Sequence, residues 1–364
     1  MPTSIDGDTH MSHIARAFAT TCALSIVLDL GAPPASAQAP PAATLRDIEA
    51  PAERLKVAFS LTRSLGSLHG AHDAFGNIWD VELDGRGRIY VADVGQAHIT
   101  VFDSAGRYLH TIGRRGSGPG EFNQPMQMGV RPGDTLLVFD VGLRRLSEFA
   151  PDGRFLRQQV LGKVSVVNDI EFLPNGDIVL VGFTPLAEAV IHILDRELRP
   201  VRSFGEPAPL DVQYFSESLL GGYADVTPAG LIVYTQKSPF EIRLYKPDGT
   251  VLWRCTGLDG ETTPPSAVVR IDGDRRQLQW NRFIHSAGVF ALSEQLFLNV
   301  ITDPTRDRRR LDVIDRDCRI RATSIMDVPF LFVSSKKLGG ERFFTGVRSL
   351  GSVPEAVVYR FTSK

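Results

Sequence analysis

Asp80, Gln127 and Asp169 fall at matching offsets in three similar segments of the chain. Carboxylate and amide oxygens are the donor set of a hard cation such as calcium, and the same groups arranged in a ring would equally hold ordered water. The matching position is Tyr223 in a fourth segment and Ala287 in a fifth. Histidine offers a second chemistry. His69 and His72 share the stretch HGAH, while His98 and His285 stand at the borders of other apolar runs. Catalytic zinc takes three such nitrogens at about 2.0–2.1 Å and keeps one position open for water. The spacing within HGAH suits a helix better than a loop, so solvent-facing loop histidines are the plainer reading; His110 and His192 fall within strands and read as structural. Nucleophilic chemistry finds no support, because no Gly-x-Ser-x-Gly elbow occurs.

The elements that must position these groups repeat. ITVFDSAGRYLHTIG (Ile99–Gly113), LSEFAPDGRFLRQQVLG (Leu146–Gly162), IHILDRELRPVRSFG (Ile191–Gly205), IRLYKPDGTVLWRCTG (Ile242–Gly257) and LDVIDRDCRIRATSI (Leu311–Ile325) each read as strand, tight turn, strand. A second set precedes them, from IWDVELDGRGRIYVAD (Ile78–Asp93) to AGVFALSEQLFLNV (Ala287–Val300), with the same pattern. No convincing stretch of helical period follows residue 55. Four strands per repeat make the blade of a β-propeller. Five blades are complete. At the C-terminus three strands remain, and RLKVAFSLTRSLG (Arg54–Gly66) supplies one more. The expected fold is therefore all-β: a six-bladed β-propeller of four-stranded antiparallel blades, closed by the N-terminal strand pairing with the C-terminal blade. Closure removes the sheet edges that invite aggregation.

Within this frame GRRGSGPGEFNQP is a crossing between blades. A phosphate-binding loop leads into a helix, whereas this one leads into QPMQMGV, another strand. The segment 258–284 interrupts the repeat. It carries Trp280 and Phe283, and either covers the channel mouth and contacts a ligand or is an idle crossing.

The stretch DGRGRIYVADVGQAHITVFDSAGRYLHTIGRRGSGPGEFNQP resembles the repeat of the NHL family of six-bladed propellers, and GDTLLVFDVGLRRLSEFAPDGRFLRQQVLG is a fair second match. The resemblance implies that Asp140 pairs with Arg145 to pin the hairpin between second and third strands; in the first repeat that slot reads Asp93 and His98. It places functional groups at the channel mouth where crossing loops emerge: Asp80, Gln127, Asp169, Tyr223 and Trp280 for a ligand, and His69, His72, His98 and His285 for a metal. Some NHL-like propellers are lyases with zinc on channel-mouth histidines, and propeller lactonases bind calcium through channel carboxylates and amides, so zinc and calcium are the implied cofactors. The primary expectation is a module that binds a protein or small-molecule ligand on its loop face, and the alternative is a metal-dependent lyase or hydrolase.

Residues 1–37 read as a secretory leader, with an apolar run Ala17–Leu28 and the small-x-small pattern Ala35-Ser36-Ala37. Residues 38–53 read as a Pro/Ala linker, and 54–364 as the propeller. The apolar run is shorter than the roughly 20 residues of a membrane span, so no span is expected in the mature chain. A periplasmic or secreted monomer is the expectation. The formal net charge is -2, and the leader carries Asp6, Asp8 and Asp29 against Arg16, leaving the remainder formally neutral. A neutral chain lacks the electrostatic footprint of a nucleic-acid binder. RDRRR, Arg306–Arg310, is the one basic run and reads as a solvated loop. Beyond the leader, Cys255 and Cys318 either form a disulfide or remain two half-buried thiols.

Overall fold

The computed structural model describes residues 57–363, except 163, 165, 184–188, 208–220, 238–239, 257–266, 273–274, 281–284, 304–307, 327–329 and 351–352. The stretches 1–37 and 38–53, read above as leader and linker, lie outside the described residues. The chain opens with β1 (Val57–Leu65). Blade 1 comprises β2 (Ile78–Leu83), β3 (Ile89–Asp93), β4 (His98–Phe102) and β5 (Tyr108–Ile112). Blade 2 comprises β6 (Pro125–Val130), β7 (Leu136–Asp140), β8 (Arg145–Phe149) and β9 (Phe155–Val160). In blade 3 these are β10 (Val166–Phe172), β11 (Ile178–Phe183), β12 (Ile191–Leu194) and β13 (Pro200–Phe204). Blade 4 holds β14 (Gly222–Val226), β15 (Ile232–Gln236), β16 (Glu241–Tyr245) and β17 (Val251–Thr256). A separate hairpin of β18 (Ala267–Asp272) and β19 (Arg275–Trp280) follows, so the interrupting segment contains paired strands rather than a plain crossing.

Blade 5 is β20 (His285–Ala291), β21 (Leu296–Asp303), β22 (Arg308–Asp315) and β23 (Ile320–Met326). The last sheet takes β24 (Phe330–Leu338), β25 (Glu341–Leu350) and β26 (Val353–Ser363), with β1 outermost in the order β1-β26-β25-β24. Val57 pairs with Ser363 and Leu65 with Ala356, so the two ends of the chain close one blade. The inner strands β2, β6, β10, β14, β20 and β24 touch in succession, and β24 returns to β2. This closes the ring of a six-bladed β-propeller.

Each interface between neighbouring blades holds its own apolar cluster. Between blades 1 and 2, for example, Tyr90, Ala92, Ile99 and Val101 meet Met128, Leu136, Val138 and Phe149. On β3 the alternate residues Ile89 and Val91 turn the other way, into the cluster shared with blade 6. Because middle strands are covered on both faces, they read as unbroken apolar runs such as LLVFD, all five residues buried. At the closing blade Phe344 is fully buried among Phe59, Phe361 and Phe290, with ring centroids 4.9–5.6 Å apart.

The basic run departs from expectation. Arg308–Arg310 begin β22, and Arg310 is 2% exposed with its Nε 2.8 Å from Asp312. The third and fourth strands of blades 1, 2, 4 and 5 are joined by one turn geometry, whose last residue is left-handed: Gly106, Gly153, Gly249 and Cys318. In blade 3 Leu198 takes this place. Such a turn with one left-handed residue is a common three-residue hairpin loop.

The axial channel as candidate binding site

In five inner strands the register slips by one residue near the start, as between Ile78 and Asp80 or Val167 and Asp169. The residue after the slip is Asp80, Gln127, Asp169, Gly288 and Ser334 in turn, so the position equivalent to Asp80 in blade 5 is Gly288, one residue beyond Ala287. A bulge of this kind re-aims the side chain that follows it.

These side chains link neighbouring blades. Asp80 accepts from the amide of Val81 at 2.7 Å and from that of Met128, in blade 2, at 2.7 Å. Asp169 accepts from Ile170 at 3.0 Å and from Ala224, in blade 4, at 3.0 Å. Asp225 repeats the device, taking Val226 at 2.7 Å and Ala291, in blade 5, at 2.8 Å. Gln127 donates through Nε2 to the carbonyl of Asn168, joining blades 2 and 3. Three residues picked from sequence as ligand donors thus spend hydrogen-bonding capacity on holding the ring together. Tyr223 stands at the start of β14, with the Lys237 ammonium 5.1 Å from its ring centre.

A second layer lies two residues further along the same strands: Glu82 after Asp80, Glu171 after Asp169, Asp225 after Tyr223 and Lys336 after Ser334. Residues two apart share a strand face. In blade 2 this position is Gly129, where an added Cβ would come within 2.8 Å of Ile170 Cγ2 and 2.9 Å of its carbonyl oxygen; glycine lets the inner strands of blades 2 and 3 approach. The layer meets across the axis. Glu82 of blade 1 feels the charge of Asp169 of blade 3, and Lys336 of blade 6 donates at 3.3 Å to the carbonyl of Val130 in blade 2. Arg342 adds a second cation, donating at 2.7 Å to the carbonyl of Ala291.

Five carboxylates therefore surround two cations, and burial raises every one of the five. Asp80 rises to about 7, against the pull of its two amides. Asp169 reaches about 8, because burial and the charges of Asp80 and Asp225 outweigh the Ala224 and Ile170 amides. Asp225 rises less, to about 6, since Arg342 opposes its burial. Glu82 and Glu171 are pushed well above the ordinary carboxylate range, by burial first and then by neighbouring acids, with Lys336 opposing. Glu82 also takes a hydrogen bond from Ser334, whereas the Glu171 carboxylate has no hydrogen bond among the described residues. The second layer stands near the hairpin turns that end the inner strands, away from the crossing loops where the site was expected.

The histidines do not gather with this set. His72 stacks on Tyr108, with centroids 3.6 Å apart, at the start of an outer strand, and His69 is exposed in the same turn. His98 is half-buried, its imidazole lowered by burial and partly restored by Asp93. His285 begins β20 opposite Thr302, and Trp280 ends β19 opposite Ala267; their side chains lie outside the described residues. Among the described residues no three His, Cys, Asp or Glu form a metal-holding group.

Asp140 and Arg145 face each other in register, yet their side chains bind other groups. Asp140 accepts from the amides of Asn123, Gln124 and Leu143 at 2.6, 3.0 and 2.9 Å. Arg145 donates to the carbonyls of Ser117, Gly118 and Glu121 at 3.0, 2.9 and 2.5 Å. Both therefore clamp the crossing between blades 1 and 2, and no charge pair forms. A short polar loop presents many backbone groups that need partners, and a buried carboxylate and guanidinium satisfy six contacts that they could not make to each other. Asp93 repeats the Asp140 contacts with Gly76, Asn77 and Gln96. In an Arg145→Ala variant, amide exchange at Gly116, Gly118 and Phe122 is expected to quicken by at least about tenfold; an unchanged pattern would show that the crossing holds itself.

Fold and channel together define a six-bladed propeller with an acidic axis. The DUF5128 family model, described as a 6-bladed beta-propeller, matches residues 73–172. No curated protein matches the sequence. Among solved structures, a member of the DUF4221 family from Bacteroides vulgatus is 10% identical with TM-score 0.55, covering 85% of this chain and 98% of that one. A catalytically inactive virginiamycin B lyase from Staphylococcus aureus, with quinupristin, is 9% identical with TM-score 0.52, over 84% of this chain and 99% of that one. The PQQ-bound aldose sugar dehydrogenase from Streptomyces coelicolor is 13% identical with TM-score 0.51, over 85% of this chain and 100% of that one. At these identities the likeness is one of fold.

Proposed function

We propose that this propeller is an exported, NHL-like binding module that takes a positively charged group, an amine or guanidinium of a small molecule or partner side chain, into its axial channel. One observation carries the reading: five inward carboxylates, Asp80, Glu82, Asp169, Glu171 and Asp225, face only Lys336 and Arg342 as cations among the described residues. Burial first, and repulsion between neighbouring acids second, lifts these carboxyls; an incoming cation would stabilise their charged forms and drive off their protons, so affinity should rise with pH. An extended organic cation suits carboxylates spread over blades 1, 3 and 4 better than a bare metal ion, which needs its ligands within one coordination shell. The leader-like N-terminus and the Cys255–Cys318 pair support export, and the closed ring is compatible with a monomer. No gathering of His69, His72 and His98 favours the metal-dependent lyase.

Titration calorimetry with 1,5-diaminopentane at about pH 6 and about pH 8 tests this. Binding should be at least about tenfold tighter at the higher pH and weaken by a similar factor in Glu171→Gln. Affinity that is indifferent to pH and to Glu171 would sink the reading.

A further inference from the structure

The disulfide lies where the repeat ordinarily has glycine. In blades 1, 2 and 4 the left-handed residue of the outer turn is Gly106, Gly153 or Gly249, and each packs against the outer strand of the preceding blade: Gly106 on Leu65, Gly153 on Ile112 and His110, Gly249 on Phe204. Blade 5 keeps the turn, with the Cys318 amide donating to the Asp315 carbonyl at 3.0 Å, but the left-handed residue is now Cys318 at φ 59°. A residue with a Cβ pays for that backbone shape where glycine does not. The preceding outer strand meets it with Cys255, and the two are joined with Cα atoms 5.7 Å apart. Cys255 is 1% exposed, whereas Cys318 is half-buried. Cys255 is also the last residue but one of β17, immediately before the segment that carries the β18–β19 hairpin.

We infer that Cys255–Cys318 is a thiol-sensitive latch that fixes the outer strand of blade 4 to blade 5 and thereby anchors the root of the β18–β19 hairpin, with Cys318 as the sulfur open to attack. A dithiol reductant, small or protein-borne, works it in two steps. Its thiolate attacks Sγ of Cys318, the S–S bond breaks, and the electron pair leaves on Cys255 Sγ, which takes a proton. The reductant's second thiol then attacks the mixed disulfide, releasing Cys318 as a thiol and the reductant as its own disulfide. The turn survives, because its backbone hydrogen bonds do not involve sulfur. What is lost is the tie between the two blades.

The experiment uses the full chain, oxidised and after dithiothreitol, with Cys255→Ala/Cys318→Gly as the variant that restores the repeat's glycine and keeps the fold testable. Alkylation of unfolded, unreduced protein should find neither Cys255 nor Cys318 free. A brief reductant pulse should trap Cys318 in mixed disulfide before Cys255. Reduction should speed tryptic cleavage after Arg270, Arg275 and Arg276 by at least about tenfold and lower Tm by about 5–10 °C, and the variant should match the reduced protein in cleavage. Two free thiols in the unreduced chain, first attack at Cys255, or cleavage and Tm indifferent to reductant would each overturn the latch. None of these readouts depends on a ligand in the channel.

Discussion

Raising the pH from about 5.5 to about 8.5 is expected to lower the Tm of this propeller by about 10 °C. The sign follows from the direction of the shifts. Asp80, Asp169 and Asp225 have folded values of about 7, about 8 and about 6, all above the ordinary value of 3.8. Between that ordinary range and about pH 8 the folded chain holds protons that the unfolded chain has released. Each such proton costs about 1.4 kcal/mol of stability per pH unit gained. This contribution is therefore complete only below the ordinary carboxylate value of 3.8, falls as pH rises above it, and is exhausted as pH passes the folded values of about 6, about 7 and about 8, the reverse of the usual acid denaturation. Lys336 and Arg342 offset part of the loss, which is why the expected fall is smaller than five independent groups would give. Asp169→Asn should flatten the slope while lowering Tm in acid, because an amide has one acceptor oxygen for the two amides of Ile170 and Ala224. A melting profile level across this range, or identical slopes for the variant and the parent, would show that the axis does not carry the excess protons. A cation bound in the channel would raise the alkaline end selectively, which links this measurement to the proposed ligand.

Phe344→Ala is the second change with a large expected effect, about 3–5 kcal/mol, read as a Tm lower by about 10 °C. Phe344 sits on β25 with no exposed surface, and Phe59 of β1, Phe361 of β26 and Phe290 of blade 5 surround it. Truncation removes an aromatic ring from the interior and leaves a cavity walled by strands that the β1–β26 and β25–β26 ladders hold apart, so relaxation is limited. The loss falls at the seam where the two ends of the chain meet. Trypsin should accordingly cut first within β1, after Arg63. A mild loss, or initial cleavage in a distant blade, would mean that the closing blade is not the weak point of the ring.

Much of this architecture was legible in the order of residues. LLVFD and IYVAD announce strands covered on both faces, and the turn residues between runs mark the hairpins. The lone apolar strand near residue 60 and the three-stranded remainder at the other end require each other, since only pairing removes both open edges. Asp80, Gln127 and Asp169 were also legible as equivalent positions. Their task was not, because a carboxylate that binds a ligand and one that caps the amide of the next blade look alike until the next blade is in place. Glu82 and Glu171 were within reach of the sequence: the D-x-E of WDVEL and NDIEF puts two acids on one strand face. Lys336 and Arg342 carried no such mark, and neither did the buried Arg310 in a run that looks solvated.

The sequence by itself determined what depends on local period and spacing: four strands to a repeat, six repeats, and closure by the N-terminal strand. Strand and turn preferences act over a few residues, so they are written where they operate. Only the tertiary structure decided what the charges do, because charge acts through space and burial. It drew Asp140 and Arg145 to a crossing loop instead of to each other and sent His72 to an outer strand. It also set acids from blades 1, 3 and 4 around an axis that Lys336 and Arg342 neutralise only in part, because closing the ring brings distant inner strands within Coulombic reach.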